Sequence, residues 1–169
     1  MAKILIIIAE QGYQDKEYSD TKTALERAGH EVFTASTAFD VMGKLGGKAK
    51  VDLLIDQVRE VDYEAIAFIG GPGSYSLFDN EICHKLAKQF VVSKGKIVAA
   101  ICAAPSILAN AGLLKNQKAT CFPSEVDNLR NKGANYTGKN VEIDGKFITA
   151  DGPVSAEMFG QTIANALIS

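Results

Sequence analysis

Short, wholly apolar runs set between amphipathic stretches constrain this chain more than any other feature. Residues 4–9 read Ile-Leu-Ile-Ile-Ile-Ala, and residues 97–102 read Ile-Val-Ala-Ala-Ile-Cys. Both runs have strand length and neither alternates with polar residues. Strands of that kind are buried on both faces, which requires helices above and below a sheet. Along the chain, strands are expected over 3–9, 31–35, 51–55, 65–69, 97–101 and 118–121, and a hairpin over 140–150 across Asp144-Gly145. Helical patterns fall between them, over 15–28, 80–93, 105–111, 124–131 and 155–167, with Gly29 and Gly112 as stop signals. Residues 10–13 read as a loop. Residues 36–50, punctuated by Gly43 and Gly46-Gly47, read as a hairpin or loop excursion. This alternation predicts one α/β domain over 1–169, a flavodoxin-like or Rossmann-like, mostly parallel sheet with helices on both faces. Ligands bind such sheets beyond the carboxyl ends of the strands.

Composition narrows the function classes. The chain has 169 residues and a formal net charge of -2, with no basic block, so a nucleic-acid partner is not expected. No apolar run is long enough to span a membrane, and residues 1–3 lead straight into a strand without a signal-peptide pattern. Three cysteines, an odd number, suggest free thiols in a reducing, cytoplasmic compartment. There is no Cys-x-x-Cys pair, and His30 and His84 are the two imidazoles, so neither a metal nor another cofactor is expected.

The stretch from Ala99 to Pro105 carries the most chemical information. A strand ends at Ile101 and a helix begins within a few residues, with Pro105 suited to its first turn. A tight turn there exposes Cys102 as in a nucleophile elbow, and a helix N-terminus favours the thiolate. Free cysteine is also commonly a buried apolar residue. Gly70-Gly71-Pro72-Gly73 follows a strand and reads either as a plain turn or as a nest of backbone N–H groups for an oxyanion. On the first helix, Gln14, Glu17, Thr21, Ala24 and Ala28 recur at three- and four-residue steps and share one face. That spacing puts Glu17 on the inward face at the active end, although a glutamate there also reads as a solvated group near a helix N-terminus, where the dipole favours it. Cys83 reads as structural, beside an Ile82, Leu86 and Phe90 stripe. His84 and His30 read as surface groups, and Cys121 as a strand end near the site rim.

These pieces, in this order, resemble the ThiJ/PfpI superfamily over nearly the whole chain, and in particular its parkinsonism-associated deglycase-like branch. The carrying motifs are Glu26-Arg27-Ala28-Gly29, the elbow from Ala99 to Pro105, Tyr136-Thr137, Asp144-Gly145 and Thr149-Ala150-Asp151-Gly152-Pro153. The resemblance implies that Cys102 is the reactive residue and that Glu17 hydrogen-bonds it. It implies that Gly70, Gly71 and Ala103 supply backbone N–H groups, and that the protein is a homodimer. The related PfpI-like intracellular proteases have a histidine directly after the cysteine, where this chain has Ala103. Phe122 stands where the deglycase branch has a histidine before a proline, and Gln14 stands where a second acid is common.

The function expected from this reading is a cofactor-free, cysteine-dependent enzyme for small reactive carbonyls, glyoxalase-like or deglycase-like, with catalytic Cys102 and Glu17. Gly70, Gly71 and Ala103 are its oxyanion donors, and Gln14, Phe122 and Cys121 lie at its rim. The alternative from another class is a redox-sensing or stress-protective protein whose cysteine is oxidised to sulfinic acid. An amidase or peptidase needs an imidazole that the chain does not place beside Cys102, unless a partner subunit supplies it.

Overall fold

A computed structural model describes residues 1–168. In chain order the elements are β1 (Lys3–Ile7), β2 (Gln11–Tyr13), α1 (Asp15–Arg27), β3 (Glu31–Ser36), β4 (Met42–Gly43), β5 (Leu53–Leu54) and β6 (Ala65–Phe68). There follow α2 (Glu81–Val92), β7 (Ile97–Ile101), α3 (Pro105–Asn110), β8 (Lys118–Ala119), α4 (Val126–Asn131), β9 (Asn135–Tyr136), β10 (Val141–Asp144), β11 (Phe147–Ala150) and α5 (Ala156–Ile168). The main sheet has seven strands in the order β10-β11-β7-β6-β1-β3-β5. All its neighbouring pairs are parallel except β10 with β11, the hairpin at one edge. β1 lies near the centre, with Ile4 paired to Val32 on one side and to Ala65 on the other.

Side chains of a strand point to alternate faces, and the apolar runs therefore feed two cores at once. Ile4, Ile6 and Ile8, with Ala67, Ile69, Ala99 and Ile101, pack on the side covered by α1 and α5. Leu5 and Ile7, with Ile66, Phe68, Val98 and Ala100, pack on the side covered by α2, α3 and α4. Burying each of these isoleucines and leucines contributes about 1.5–3 kcal/mol, which fixes the register: a one-residue slip would exchange the two sets.

Helix α1 starts where Gln14 Oε1 accepts the N–H groups of Lys16 (2.7 Å) and Glu17 (3.2 Å), satisfying amides that the first turn otherwise leaves free. It crosses α5 closely enough that a Cβ on Gly160 would lie 2.7 Å from Ala24 Cβ and 2.9 Å from the Thr21 carbonyl. The small residues on this face of α1 bring the two helices together and set the height of Glu17 over the sheet.

Several expectations change in detail. Residues 36–50 do not form a hairpin of their own: β4 pairs in parallel with β2, inside the stretch read as a loop. The strand expected over 118–121 ends at Ala119 and pairs with β9 in a separate two-stranded sheet. On α2 the inward residues are Cys83, Leu86, Ala87 and Phe90, while Ile82 is exposed. His30 is buried rather than solvated, its Nδ1 accepting the Ala2 N–H at 3.0 Å. His84 is half-buried, its Nε2 2.7 Å from the Phe78 carbonyl. Among the described residues no helix is long and apolar enough to cross a membrane.

Candidate active site

Cys102 follows β7 directly and has φ +66°, a left-handed conformation that a residue with a Cβ adopts at a cost of about 1–3 kcal/mol. Both of its backbone groups are tied down. Its N–H donates to the Ala150 carbonyl (2.9 Å), and its carbonyl accepts the Phe122 N–H (2.8 Å). The chain turns through Ala103 and Ala104 into Pro105, the first residue of α3. This sharp turn aims the sulfur at the carboxyl end of the sheet, against the backbone N–H groups of Gly71 and Ala103. Cys102 as a residue is 6% exposed, so attack on its thiol must come through the adjoining pocket.

Glu17 lies fully buried beside it, on the inward face of α1. Its Oε1 accepts the Gly70 N–H at 3.0 Å. Its Oε2 has no partner of ordinary hydrogen-bond geometry and is left to the thiol. Gly70 has no side chain because there is no room for one. A Cβ there would lie 2.7 Å from Cys102 Cβ, 2.8 Å from the Ile101 carbonyl and 2.9 Å from Glu17 Oε1. Gly71, at φ +101°, presses on the N-terminal loop, where a Cβ would come within 2.5 Å of the Gln14 nitrogen. The two glycines divide the work expected of them: the Gly70 amide is spent on Glu17, while Gly71 and Ala103 remain as the N–H donors facing sulfur.

Burial pushes the Glu17 carboxyl up to about 7, against the opposing pull of the Cys102 thiol, the Gly70 N–H and the Lys44 ammonium. Burial, and then the charge of Glu17, push the Cys102 thiol well above its ordinary range, while the Gly71 and Ala103 amides pull it down. The helix end expected to favour the thiolate is therefore outweighed by desolvation and by the neighbouring acid. Two anions repel each other in this dry space, so ionising either group raises the other. The two groups titrate as a pair.

A pocket of about 280 Å³ opens above the sulfur, lined by Gln14, Lys44, Gly71, Tyr75, Cys102 and Phe122 among others. On one wall, Tyr75 Oη donates to Glu125 Oε2 (2.9 Å), and the same buried carboxylate accepts Ser124 Oγ (3.0 Å) and, at Oε1, Ser106 Oγ (2.7 Å). The opposite wall comes from the β4 excursion. Asp15 clamps it by accepting the N–H groups of Leu45 (2.7 Å) and Gly47 (2.8 Å), and Lys44 N–H donates to the Tyr13 carbonyl (2.8 Å).

The structure thus gathers Cys102, Glu17, Gly70, Gly71, Ala103, Gln14 and Phe122 around one place. It leaves Cys121 out. That residue is fully buried in the core beneath α4, not at the rim, and burial raises its thiol to about 12. Cys83, also fully buried, is raised to about 12 by the same cause. Lys44, Tyr75 and Glu125 escape a reading of the sequence. Tyr75 leaves a signal in lying just beyond the glycine loop. Lys44 leaves none, because the β2–β4 pairing that delivers it is too short to show as a pattern. A groove of about 390 Å³ between α1 and α5 is lined by charged and small residues and contains no nucleophile. Among the described residues, no group of three or more His, Cys, Asp or Glu side chains could hold a metal ion.

Comparison with known proteins places this geometry in context. Residues 2–166 match the model of the DJ-1/PfpI family. The protein MJ0967 of Methanocaldococcus jannaschii is 38% identical over 98% of this chain and 82% of its own length. The deglycase PH1704 of Pyrococcus horikoshii is 33% identical over 89% of this chain and 90% of its own. A ThiJ/PfpI domain protein from Brachyspira murdochii superposes with a TM-score of 0.95 at 35% identity, covering 98% of this chain and 96% of the other.

Proposed function

This chain belongs to the DJ-1/PfpI family, and from that premise we propose that it is a cysteine-dependent enzyme converting small reactive carbonyls without a cofactor. Relatives named as deglycases, at about one-third identity over most of the chain, support enzymatic activity in general. The observation that carries the specific reading is the pairing of Cys102, held at φ +66°, with a buried Glu17 whose carboxyl titrates near 7. A proton donor and acceptor poised at the working pH, in contact with a nucleophile, is what an aldehyde isomerisation requires.

With methylglyoxal the steps run as follows. The thiolate adds to the aldehyde carbon, forming the C–S bond, and the carbonyl electron pair moves to oxygen, near the Gly71 and Ala103 N–H groups. Glu17 gives its proton to that oxygen, leaving a hemithioacetal and a carboxylate. The carboxylate then removes the hydrogen from the sulfur-bearing carbon, and the neighbouring ketone oxygen takes a proton from water to give an enediol. Glu17, its proton open to exchange with solvent, protonates the second carbon, and the hydroxyl on the sulfur-bearing carbon gives its proton to the hydroxide left by water, which leaves a thioester next to a new secondary alcohol. Water hydrolyses the thioester; of the two protons released Glu17 takes one and solvent the other, which frees lactate and the thiolate. The first carbon is oxidised and the second reduced, so no external redox partner is needed.

The test is lactate formation from methylglyoxal with glutathione and metals absent. Wild type should turn over, while Cys102→Ser should fall by at least about 100-fold, the scale of losing a covalent nucleophile. Activity that survives Cys102→Ser would overturn the reading. The Glu17 carboxyl, which faces the Cys102 thiol, favours a second reading, in which a protonated Glu17 donates to an oxidised Cys102. In that case wild type forms no lactate, and mild peroxide adds two oxygens at Cys102 alone.

A further inference from the structure

The carbonyl chemistry above leaves the one charged side chain that lines the pocket unused. Lys44 lines the same pocket as Cys102. It is the one cationic side chain among the lining residues, and none of them is acidic. The carboxylates nearby are committed elsewhere. Glu17 lies beneath the pocket, bound to the Gly70 N–H. Glu125 is turned into the wall, taken up by three hydroxyl groups. Asp15 is occupied by the amides of Leu45 and Gly47. Among the described residues Lys44 makes no salt bridge. The segment that carries it is not a loose loop. Its backbone is fixed to Tyr13, and a Cβ on the preceding Gly43 would lie 2.2 Å from Asp15 Oδ1. The excursion is packed down on the start of α1, and Lys44, itself exposed, lines the mouth of the pocket, its charge near enough to pull the Glu17 carboxyl down.

We propose that the pocket selects α-oxoaldehydes that carry a carboxylate, with Lys44 as the residue that binds the anion. This inference rests on the carbonyl reading given above. The pocket, at about 280 Å³, has room beyond a three-carbon dicarbonyl, and the cation marks the place where a longer substrate would put its charge. Gln14, which also lines the pocket, uses its Oε1 as the cap of α1 and so keeps its amide nitrogen as a donor. A carboxylate tail entering here meets donors and no competing acid. The effect of one solvated lysine is modest, about fivefold in affinity or rate, and it should weaken as salt screens it.

Two measurements on the whole protein test this. The first does not depend on turnover. Cys102 is alkylated with iodoacetate and, separately, with iodoacetamide, in wild type and Lys44→Gln, and the modified peptide is followed by mass spectrometry. Both reagents consume the same thiolate, so any change in its population cancels in the ratio of the two rates. The iodoacetate-to-iodoacetamide ratio should be about fivefold higher in wild type than in Lys44→Gln, and the difference should shrink in high salt. Equal ratios would overturn the anion site. The second compares kcat/KM for 4,5-dioxopentanoate, which would give 2-hydroxyglutarate, with that for its methyl ester. Wild type should prefer the acid by about fivefold, mostly through KM, and Lys44→Gln should lose the preference. Turnover without a preference would refute the anion site and leave the carbonyl reading standing. A wild-type alkylation ratio as expected, with no turnover of either dicarbonyl, would keep the anion site and refute the carbonyl reading.

Discussion

Glu17 and Cys102 set each other's protonation, and removing one should show in the other. Glu17 raises the thiol both by its charge and by its hydrogen bond. In Glu17→Gln the thiolate absorbance of Cys102 should therefore appear at lower pH than in wild type, by about 1–3 units; superimposable titration curves would mean the two do not communicate. The same carboxyl also ties stability to pH. It ionises at about 4.5 when solvated and at about 7 in the fold, so the folded chain holds a proton that the unfolded chain has lost between those values. The stability Glu17 contributes is complete below pH 4.5 and is lost as pH rises through 7, on the order of 3 kcal/mol over the window. Urea unfolding at pH 5 and pH 8 should show wild type losing more stability than Glu17→Gln across that interval. Gly70→Ala should disturb both residues, because its Cβ falls within 3 Å of each. A loss of about 1–3 kcal/mol is expected, together with slower alkylation of Cys102. At this scale the placement of Cys102 and of Glu17 was legible because each rests on a local pattern, an apolar strand running into Pro105 and an inward helical face, while the pairing of the two came only from the family resemblance. Glu125 was not legible, since Ser106 and Tyr75 reach it from 19 and 50 residues away.

The elements act as the positioning frame. α1 carries Glu17 and is held on the sheet by its crossing with α5, where Gly160 leaves no space for a side chain. Gly160→Val should separate the two helices. It is expected to cost about 1–3 kcal/mol and to shift the thiol titration of a residue that Gly160 does not touch, which thermal unfolding and absorbance at varied pH would measure. If the titration stayed unchanged while stability fell, α5 would be a packing partner alone. The long elements could be read because five or six apolar residues in a row, or four turns of helical spacing, leave a pattern. The two-residue strands β4 and β9 leave none, while β5 and β8 show only inside the longer runs 51–55 and 118–121. Their pairing is dictated by contacts such as the Asp15 clamp on residues 45 and 47, which no local propensity encodes.

Across the whole molecule, two cores on opposite faces of one sheet make a rigid base, and Gly71 and Cys102, both at positive φ, lie beyond the carboxyl ends of β6 and β7. The conformational cost at Cys102 is thus borne where β7 is anchored on both sides, by β6 and β11. The resemblance seen in the sequence also leads to the expectation of a homodimer. Sedimentation equilibrium at micromolar concentration should then give about twice the 18.0 kDa chain mass, and a single species at the chain mass would remove that expectation. The central claim, that Cys102 and Glu17 carry a bound dicarbonyl through an enediol whose second carbon is protonated by Glu17 after exchange with solvent, is tested most directly by methylglyoxal turnover in deuterium oxide followed by proton NMR. Lactate with deuterium at its second carbon, formed by wild type and not by Cys102→Ser or Glu17→Gln, is the predicted result. No lactate from wild type, or lactate whose second carbon retains the substrate hydrogen throughout, would contradict it.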